Sequence, residues 1–462
     1  MRFLLIAYDF PPIPSPQALR WAYLTRELVK SGHRVEVIAP DVPGYGPGGL
    51  PELPADVIVR RVFPGRLTRF LLGRGRKTTV PATAAATAST ADETRGAAVE
   101  EVLNWKGRLR KSLESSFAGG GSGLNWKGRL AEKIKATVSD RVFPDYRAEW
   151  VEHAIAALQV SVAEARPDVV VVSHEPACAL PVGIAAARQG LPLVVDLGDP
   201  VLAPYTPEKW KRAAFALERD ACHAAMMVSV TTDAAAEVLQ ERHSLPDGKV
   251  VVIRQGFDPD FRNDAAHSGV LFDSGMLELL YTGSFYSFRS AQMLLDVVLS
   301  VPGVRLSIAT IRAPDYLLEY VDRSQGRIRL LGFLPHMAAV AAQRQCDILV
   351  NLANADPVQV PGKIFEYLGA GKPVMHLRGE HQDATGTLVS ATRAGWDIAS
   401  TPEQIESALI EAIDCKAEGK LSMRAPRRDQ VGQYSWPSLA ARWLSDVEAA
   451  LDRRRRPADA IS

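Results

Sequence analysis

Short apolar runs recur along this chain, and each is followed by a loop and then by a stretch with helical spacing. That alternation constrains the fold more than any single motif, because parallel strands must be joined by long crossovers that cover the sheet. The first forty residues set the pattern. FLLIAY reads as a strand and DFPPIPSP as a proline-punctuated loop. Ser15 and Pro16 suit the N-cap and first position of a helix. Leu19, Ala22, Leu24 and Leu28 then follow helical spacing, Gly32 stops the helix, and RVEVIAP resumes as a strand.

More strand–helix units follow. PDVVVVSH, PLVVDLGD, MMVSVTT and KVVVIRQ read as strands, with helices through ALPVGIAAARQG, 210–224 and from Asp233. A second series runs through LELLYTGS, a helix near 291–299, RLSIAT, IRLLGFLP, a short helix, DILVNL, GKIFEYLGAG and PVMHL. The expectation is an α/β protein of two doubly wound, Rossmann-like parallel-sheet domains, with the seam near 257–269 where polar residues replace the periodicity. The expected bounds are 1–258, with an insertion at about 66–140, then 265–430, a helix at 435–452 and a basic tail at 453–462.

Composition narrows the function classes. At 462 residues the chain is long enough for two or three domains, and a net charge of +1 gives no global field for nucleic acid. The four cysteines form no CxxC and no Cys/His cluster, which points to free thiols and away from zinc or a disulfide framework. MRFLLIAYDF has one basic residue and a short apolar run cut by Asp9, so it reads as a strand and not as a signal peptide. No window reaches the roughly 18 apolar residues of a membrane span, and the expected location is cytoplasmic.

In open parallel sheets, ligands bind beyond the carboxyl ends of the strands, where helix N-termini offer unpaired N–H groups. VPGKIFEYLGAGKPV, at 360–374, has Pro361 and Gly362 before a helix, with Lys363 and Glu366 on one face. A cation and a carboxylate so placed suit a diphosphate and a neighbouring sugar diol, although an exposed salt bridge on a surface helix has the same spacing. YTGSFYSFRS, at 281–290, adds Gly283 after a strand and Arg289 for a phosphate. His174 in SHEP and Asp199 in DLGDP also follow strands, with a plain hydrogen-bonded strand end as the alternative for His174. Arg20, early in the first helix, is a candidate for an acceptor phosphate.

Six blocks in order, FPP…R…L…L…GHRVEVIAP, HEP, VVDLGDP, VVIRQGFDPDF, YTGSF…R…LL and GKIFEYLGAGKPV, resemble the GT-B glycosyltransferases of family 4. The resemblance covers most of the chain outside 62–142. It implies two Rossmann-like domains and a nucleoside-diphosphate sugar held mainly by the second. It also implies transfer with retention, to a glycan or lipid-linked acceptor, with no metal and no cofactor. Glu366 matches the residue that binds the ribose hydroxyls. Arg289 matches one of a basic pair on the diphosphate, with Lys363 as the second charge and Gly283 and Gly362 beside it. Asp199 and His174 fall on the acceptor side. Three positions depart from the pattern: Val358, with Asp356 nearby, replaces a carboxylate; Gln255 replaces an Asn; and Ser15–Pro16 replaces a glycine pair. The DPD at 258–260 reads as a turn and cap in place of a metal motif. A catalytically silent subunit and a nucleotide-sugar epimerase are the alternatives.

One motif lies outside those blocks. LNWKGRL occurs at 103–109 and again at 124–130, joined through AGGGSG, after an Ala- and Thr-rich stretch at 77–99 read as flexible. Val102, Trp105, Leu109 and Leu113 form one apolar stripe; Trp126, Leu130, Ile134 and Val138 form another. Each copy lies in a stretch with four basic residues and one Glu. Such helices suit anionic lipid, so 102–138 is a candidate for peripheral membrane contact; two helices packing their stripes on each other or on the domain are the alternative.

Overall fold

Every strand in the described residues runs parallel to its neighbours, in two separate sheets. The structure is a computed structural model and describes residues 1–13, 15–42, 50–72, 141–204, 206–260, 269–285, 291–354, 359–379 and 381–455. The first sheet holds β1 (Arg2–Ala7), β2 (Arg34–Pro40), β3 (Ile58–Val62), β4 (Val169–His174), β5 (Leu193–Leu197), β6 (Met227–Val230) and β7 (Val250–Val252), in the order β3-β2-β1-β4-β5-β6-β7. The second holds β8 (Leu277–Thr282), β9 (Val304–Ala309), β10 (Ile328–Gly332), β11 (Ile348–Leu352), β12 (Val374–Arg378) and β13 (Gly395–Ala399), in the order β10-β9-β8-β11-β12-β13. The expected pair of doubly wound parallel sheets is therefore the observed architecture.

The crossover helices of the first sheet are α1 (Pro16–Lys30), α3 (Trp150–Glu164), α4 (Leu180–Arg188), α5 (Glu208–Ala224) and α6 (Asp233–His243); α2 (Arg66–Leu72) lies in the smaller compact unit. Those of the second are α7 (Gln292–Ser300), α8 (Asp315–Arg323), α9 (His336–Gln345), α10 (Lys363–Ala370), α11 (Ala384–Ala391) and α12 (Pro402–Ala417). The short α13 (Arg428–Val431) leads into α14 (Trp436–Arg455). The chain divides into two compact units, 64–149 and the remainder, so both sheets share one unit. Within the smaller unit, Glu149 accepts the Leu67 N–H at 3.0 Å in the first turn of α2.

Local chemistry explains the best-marked element. Ser15 Oγ accepts the Ala18 N–H at 3.0 Å, Pro16 takes the first helical position, and Gly32 turns the chain with φ +81. The buried face of α1 is wider than one stripe, because α1 is covered by the sheet on one side and by α14 on the other. Trp21, Leu24 and Leu28 share a core cluster with Leu439, Trp443 and Val447 of α14. The helix expected to end at 452 continues to Arg455, where Arg453 reaches the Gly248 carbonyl and Arg454 the Gly190 carbonyl. The basic run is thus the helix end for at least three residues, its cations near the negative pole of the helix.

The chain joins the two sheets through paired segments. Phe257 N–H donates to the Tyr434 carbonyl at 3.1 Å, and Trp436 N–H donates to the Phe257 carbonyl at 2.9 Å. Two glycines make this approach possible. A Cβ at Gly256 would stand 2.7 Å from the Tyr434 carbonyl oxygen, and one at Gly369 would overlap the Phe257 ring. Asp258 Oδ1 accepts the Asp260 N–H at 3.1 Å and Oδ2 pairs with Arg26 at 2.7 Å, so the DPD is a turn and an ion pair.

The acceptor-phosphate expectation for Arg20 is corrected here. Arg20 is fully buried, its Nε and Nη2 both bond Asp196 at 3.0 Å, and its Nη1 donates to the Arg254 carbonyl at 2.9 Å. Asp196 also accepts from Trp21 Nε1 at 3.0 Å and Ser229 Oγ at 2.6 Å. The guanidinium is spent inside the domain. Removing one partner of such a pair strands the other charge, so Arg20→Leu is expected to lower stability by about 3–5 kcal/mol. Urea denaturation of both proteins measures this, and a loss below about 1 kcal/mol would contradict the buried pairing.

Candidate functional site

Both sheets reverse their strand order between the first strand and its inner neighbour: β1/β4 in one, β8/β11 in the other. A parallel sheet opens a crevice there, beyond the carboxyl ends of its strands. The loops around those ends carry most of the residues singled out from the sequence.

In the second sheet, β8 ends at Thr282 and the chain turns at Gly283 with φ +140. Lys363, the first residue of α10, donates from Nζ to the Thr282 carbonyl at 3.1 Å and lies 4.0 Å from the Tyr281 ring centroid. A Cβ at Gly283 would meet Nζ at 2.9 Å, so glycine is what lets the ammonium stand against the strand end. The Tyr367 hydroxyl takes the Thr282 N–H at 2.9 Å and fixes α10 to β8. Gly362 provides no side-chain cap; the Ile364 and Phe365 N–H groups instead bond the Pro361 and Gly362 carbonyls at 3.0 and 3.2 Å, and the helix start faces the pocket through Gly362 and Lys363.

Glu366 lies one turn further along. Its Oε1 is 3.6 Å from His336 Nδ1 and its Oε2 is 3.5 Å from Gln343 Nε2. Lys363 and Glu366 thus turn to different partners and do not form the surface salt bridge that their spacing also allowed. Between them is a pocket of ≈ 290 Å³ lined by Ser15, Gln255, His336, Gly362, Lys363 and Glu366. A pocket of ≈ 210 Å³ adjoins it beyond His336, walled by Gly283, Thr310, Ile311 and Phe333. A third, also ≈ 210 Å³, shares Gln255 and Gly362 and is lined by Gln17, Asp199, Thr231 and Asn354.

The first sheet supplies the polar wall of that third pocket. Asp199 follows β5, and the loop behind it is clamped from below. Buried Glu218 accepts the Leu202 N–H at 2.9 Å, while Arg242 Nη1 bonds both Glu218 (2.6 Å) and the Leu202 carbonyl (3.0 Å). Thr231 Oγ1 donates to the Gly198 carbonyl at 2.8 Å. His174 sits at the end of β4, buried beneath the neighbouring Glu175 that lines the pocket. Burial lowers its pKa to about 4, against the pull of Glu218 and Asp196, so the ring is neutral at physiological pH. Its Nδ1 and the Gln17 Oε1 are buried without a hydrogen-bond partner.

Known proteins share this fold. Residues 122–261 match the family model for Glycosyltransferase Family 4. Sucrose-phosphate synthase from Thermosynechococcus elongatus superposes with a TM-score of 0.61 at 14% identity, over 98% of this chain and 100% of that one. HepE of Anabaena in complex with UDP gives 0.58 at 12%, over 97% and 100%. The chain has the two-sheet GT-B fold, and its residues 122–261 are similar to glycosyltransferase family 4. UDP-GlcNAc 2-epimerase from Neisseria meningitidis bound to UDP-GlcNAc gives 0.51 at 14%, over 97% and 100%, which is likeness of fold alone. No curated protein sequence matches the chain.

The GT-B cleft brings Gly283, Gly362, Lys363 and Glu366 together, and places Asp199 across from them with His174 below. Arg20 belongs to the interior. Arg289, Asp356 and Val358 lie outside the described residues, as do both LNWKGRL copies and the stretch at 77–99. Among the described residues no cluster of three or more His, Cys, Asp or Glu could hold a metal ion. The same residues include no helix long and apolar enough to cross a membrane. Sequence reasoning missed His336, Tyr23 and Gln17. His336 starts a helix after a strand, the position that singled out Lys363; Tyr23 and Gln17 carried no such mark.

His174 gives a pH dependence with a definite sign. Its folded pKa of about 4 lies below the ordinary 6.5, so the unfolded chain takes up the proton first as pH falls. The stability it contributes is present above the ordinary value and is lost as pH falls towards about 4, by about 3 kcal/mol in total. His174→Asn is expected to flatten the fall in denaturation midpoint across that window, and a slope equal to that of the parent would contradict it.

Proposed function

We propose that this chain is a retaining glycosyltransferase that moves a sugar from a nucleoside-diphosphate sugar to a glycan or lipid-linked acceptor, with no metal ion and no cofactor. One observation carries the reading. Lys363 Nζ stands at Gly283, at the end of β8, with Glu366 one turn along and a ≈ 290 Å³ pocket in front of both. A diphosphate against Lys363 and the positive pole of α10, with ribose hydroxyls on Glu366, matches that placement of charge. The likeness to HepE, whose structure contains UDP, supports a nucleoside diphosphate here.

In the proposed reaction the bond from the anomeric carbon to the diphosphate oxygen breaks. The acceptor hydroxyl attacks from the same face, and its proton passes to the departing diphosphate. The protein's work is then to neutralise the leaving group and to orient the acceptor. Lys363 supplies leaving-group charge, and the sequence resemblance adds Arg289. Asp199, in the polar pocket, orients the acceptor hydroxyl, with neutral His174 below it on the acceptor side.

Calorimetry with UDP, GDP and ADP tests the donor site. At least one is expected to bind, and Lys363→Ala and Glu366→Ala to weaken it at least about tenfold, the cost of losing a charge-assisted contact. A protein that binds none of the three is not this enzyme. Binding without transfer to any acceptor would instead favour a silent subunit.

The cytoplasmic placement and the contact of 102–138 with the inner face of a membrane rest on the sequence alone: two Trp-containing stripes, each flanked by a net positive segment. Flotation with anionic liposomes is expected to lose binding when 100–135 are deleted; equal flotation by both proteins would remove the membrane role.

A further inference from the structure

We infer that Tyr23 and His336 are positioning residues that hold Glu366 from the other domain, so that donor affinity depends on contact between the two sheets. The inference rests on the donor-site reading of Glu366. Tyr23 belongs to α1, which packs on the first sheet, whereas His336 opens α9 and Glu366 lies on α10, both packed on the second.

The three side chains form a line across the domain junction. The Tyr23 hydroxyl is 3.2 Å from His336 Nε2, and His336 Nδ1 is 3.6 Å from Glu366 Oε1. Tyr23 is held on three sides. Its ring stacks on Trp436 at 5.3 Å and 13°, the Arg26 guanidinium lies 4.8 Å from its centroid, and Arg26 is itself tied to Asp258 at 2.7 Å. The phenol is buried beside the Asp258 and Glu366 carboxylates, which pushes its pKa well above the ordinary value. It therefore keeps its proton, and donates to Nε2 in the neutral tautomer that the Glu366 carboxylate favours, the one with its ring proton towards that carboxylate. That leaves the other ring proton on Nδ1, the nitrogen that faces Glu366. A protonated imidazole presents the same N–H to the carboxylate. In either state His336 offers Glu366 a positive edge whose direction is set by a residue of the other domain.

At 3.6 Å the contact is longer than a hydrogen bond, so it orients the carboxylate by electrostatics without saturating it. Gln343, at 3.5 Å from the second oxygen, holds the opposite side. Glu366 still lines the ≈ 290 Å³ pocket, and His336 forms the wall between that pocket and the one beside Phe333. The line through Tyr23 exists only while α1 and α9 are in contact. A ligand that gains from an oriented Glu366 therefore also favours that contact, and the two effects are reciprocal.

A double-mutant cycle on the full chain tests this, read by calorimetry with UDP, GDP and ADP. Tyr23→Phe and His336→Ala are each expected to weaken the bound nucleotide roughly threefold to tenfold, the scale of one hydrogen bond. In a Glu366→Gln background, Tyr23→Phe is expected to change affinity by less than about 1.5-fold, because the residue through which it acts has lost its charge. The thermal midpoint of Tyr23→Phe should match that of the parent; should His336→Ala not fold, the isosteric Tyr23→Phe carries the test alone. An equal loss in both backgrounds would show that Tyr23 acts generally on the fold and would overturn the inference. So would Tyr23→Phe binding as tightly as the parent while Glu366→Gln binds weakly, an outcome that leaves the donor site standing. If Glu366→Gln leaves affinity unchanged, the donor-site reading falls first, and the inference falls with it.

Discussion

The cleft depends on two hydrogen bonds that pair the chain's paths between the domains: Phe257 N–H to Tyr434, and Trp436 N–H to Phe257. Each covalent link alone would be a single flexible connection. Paired, they form a short parallel bridge between residues far apart in sequence, and both domains are anchored to it. Gly256 and Gly369 are required at that point by space alone, since a side chain at either would strike the opposite segment. Trp436 leaves the bridge as the first residue of α14, and its ring is the surface on which Tyr23 stacks. Distances across the cleft are therefore set at the bridge and passed outward through rigid aromatic contacts.

Charge is handled differently on the two sides of the cleft. Below the first sheet's strand ends, buried carboxylates are matched by donors: Asp196 by Arg20, and Glu218 by Arg242 and the His243 ring. Such pairs gain little net stability over an apolar core, but they are directional, and losing one partner is costly. Here the directionality is used. Glu218 and Arg242 grip both backbone groups of Leu202 and so fix the loop that begins at Asp199. On the second sheet the groups at the strand end are held by backbone and by ring faces, with Lys363 over Tyr281 and against the Thr282 carbonyl.

Much of this was legible in the sequence where local chemistry decides local structure. The start and end of α1 follow from Ser15, Pro16 and Gly32, and those of α10 from Gly362 and Gly371. The strand–helix alternation carries the two-sheet architecture, since parallel strands leave no other way to return the chain. What escaped was whatever depends on partners distant in sequence. Arg20 reads as a cation near a strand-end loop, and nothing nearby announces Asp196, which neutralises it. β3 escaped because Arg60 and Arg61 interrupt its apolar run, as an edge strand permits. In α8 only Leu317 is buried, which is too little for a helical stripe. Tyr23 carries no mark in the sequence, and its hydroxyl gains meaning only once His336 stands opposite, 313 residues away.

Small residues at the strand ends complete the physical account of the cleft. Gly198, Gly283 and Gly362 each mark a place where a side chain or another segment comes close to the backbone: Gln17 at the first, Lys363 at the second, Gln255 at the third. A Cβ at any of them would push the neighbouring group away from the crevice. The neighbours are a neutral amide, an ammonium and another amide, so the glycines do not merely relieve crowding. They decide which polar groups reach the strand ends. The positive pole of α10 and the Lys363 ammonium at its first residue present the same sign of charge to the same volume. That concentration of positive potential is fixed by backbone geometry before any ligand arrives. In the proposed transfer, an anionic leaving group meets an ammonium already in place, which costs less than reorganising water around it.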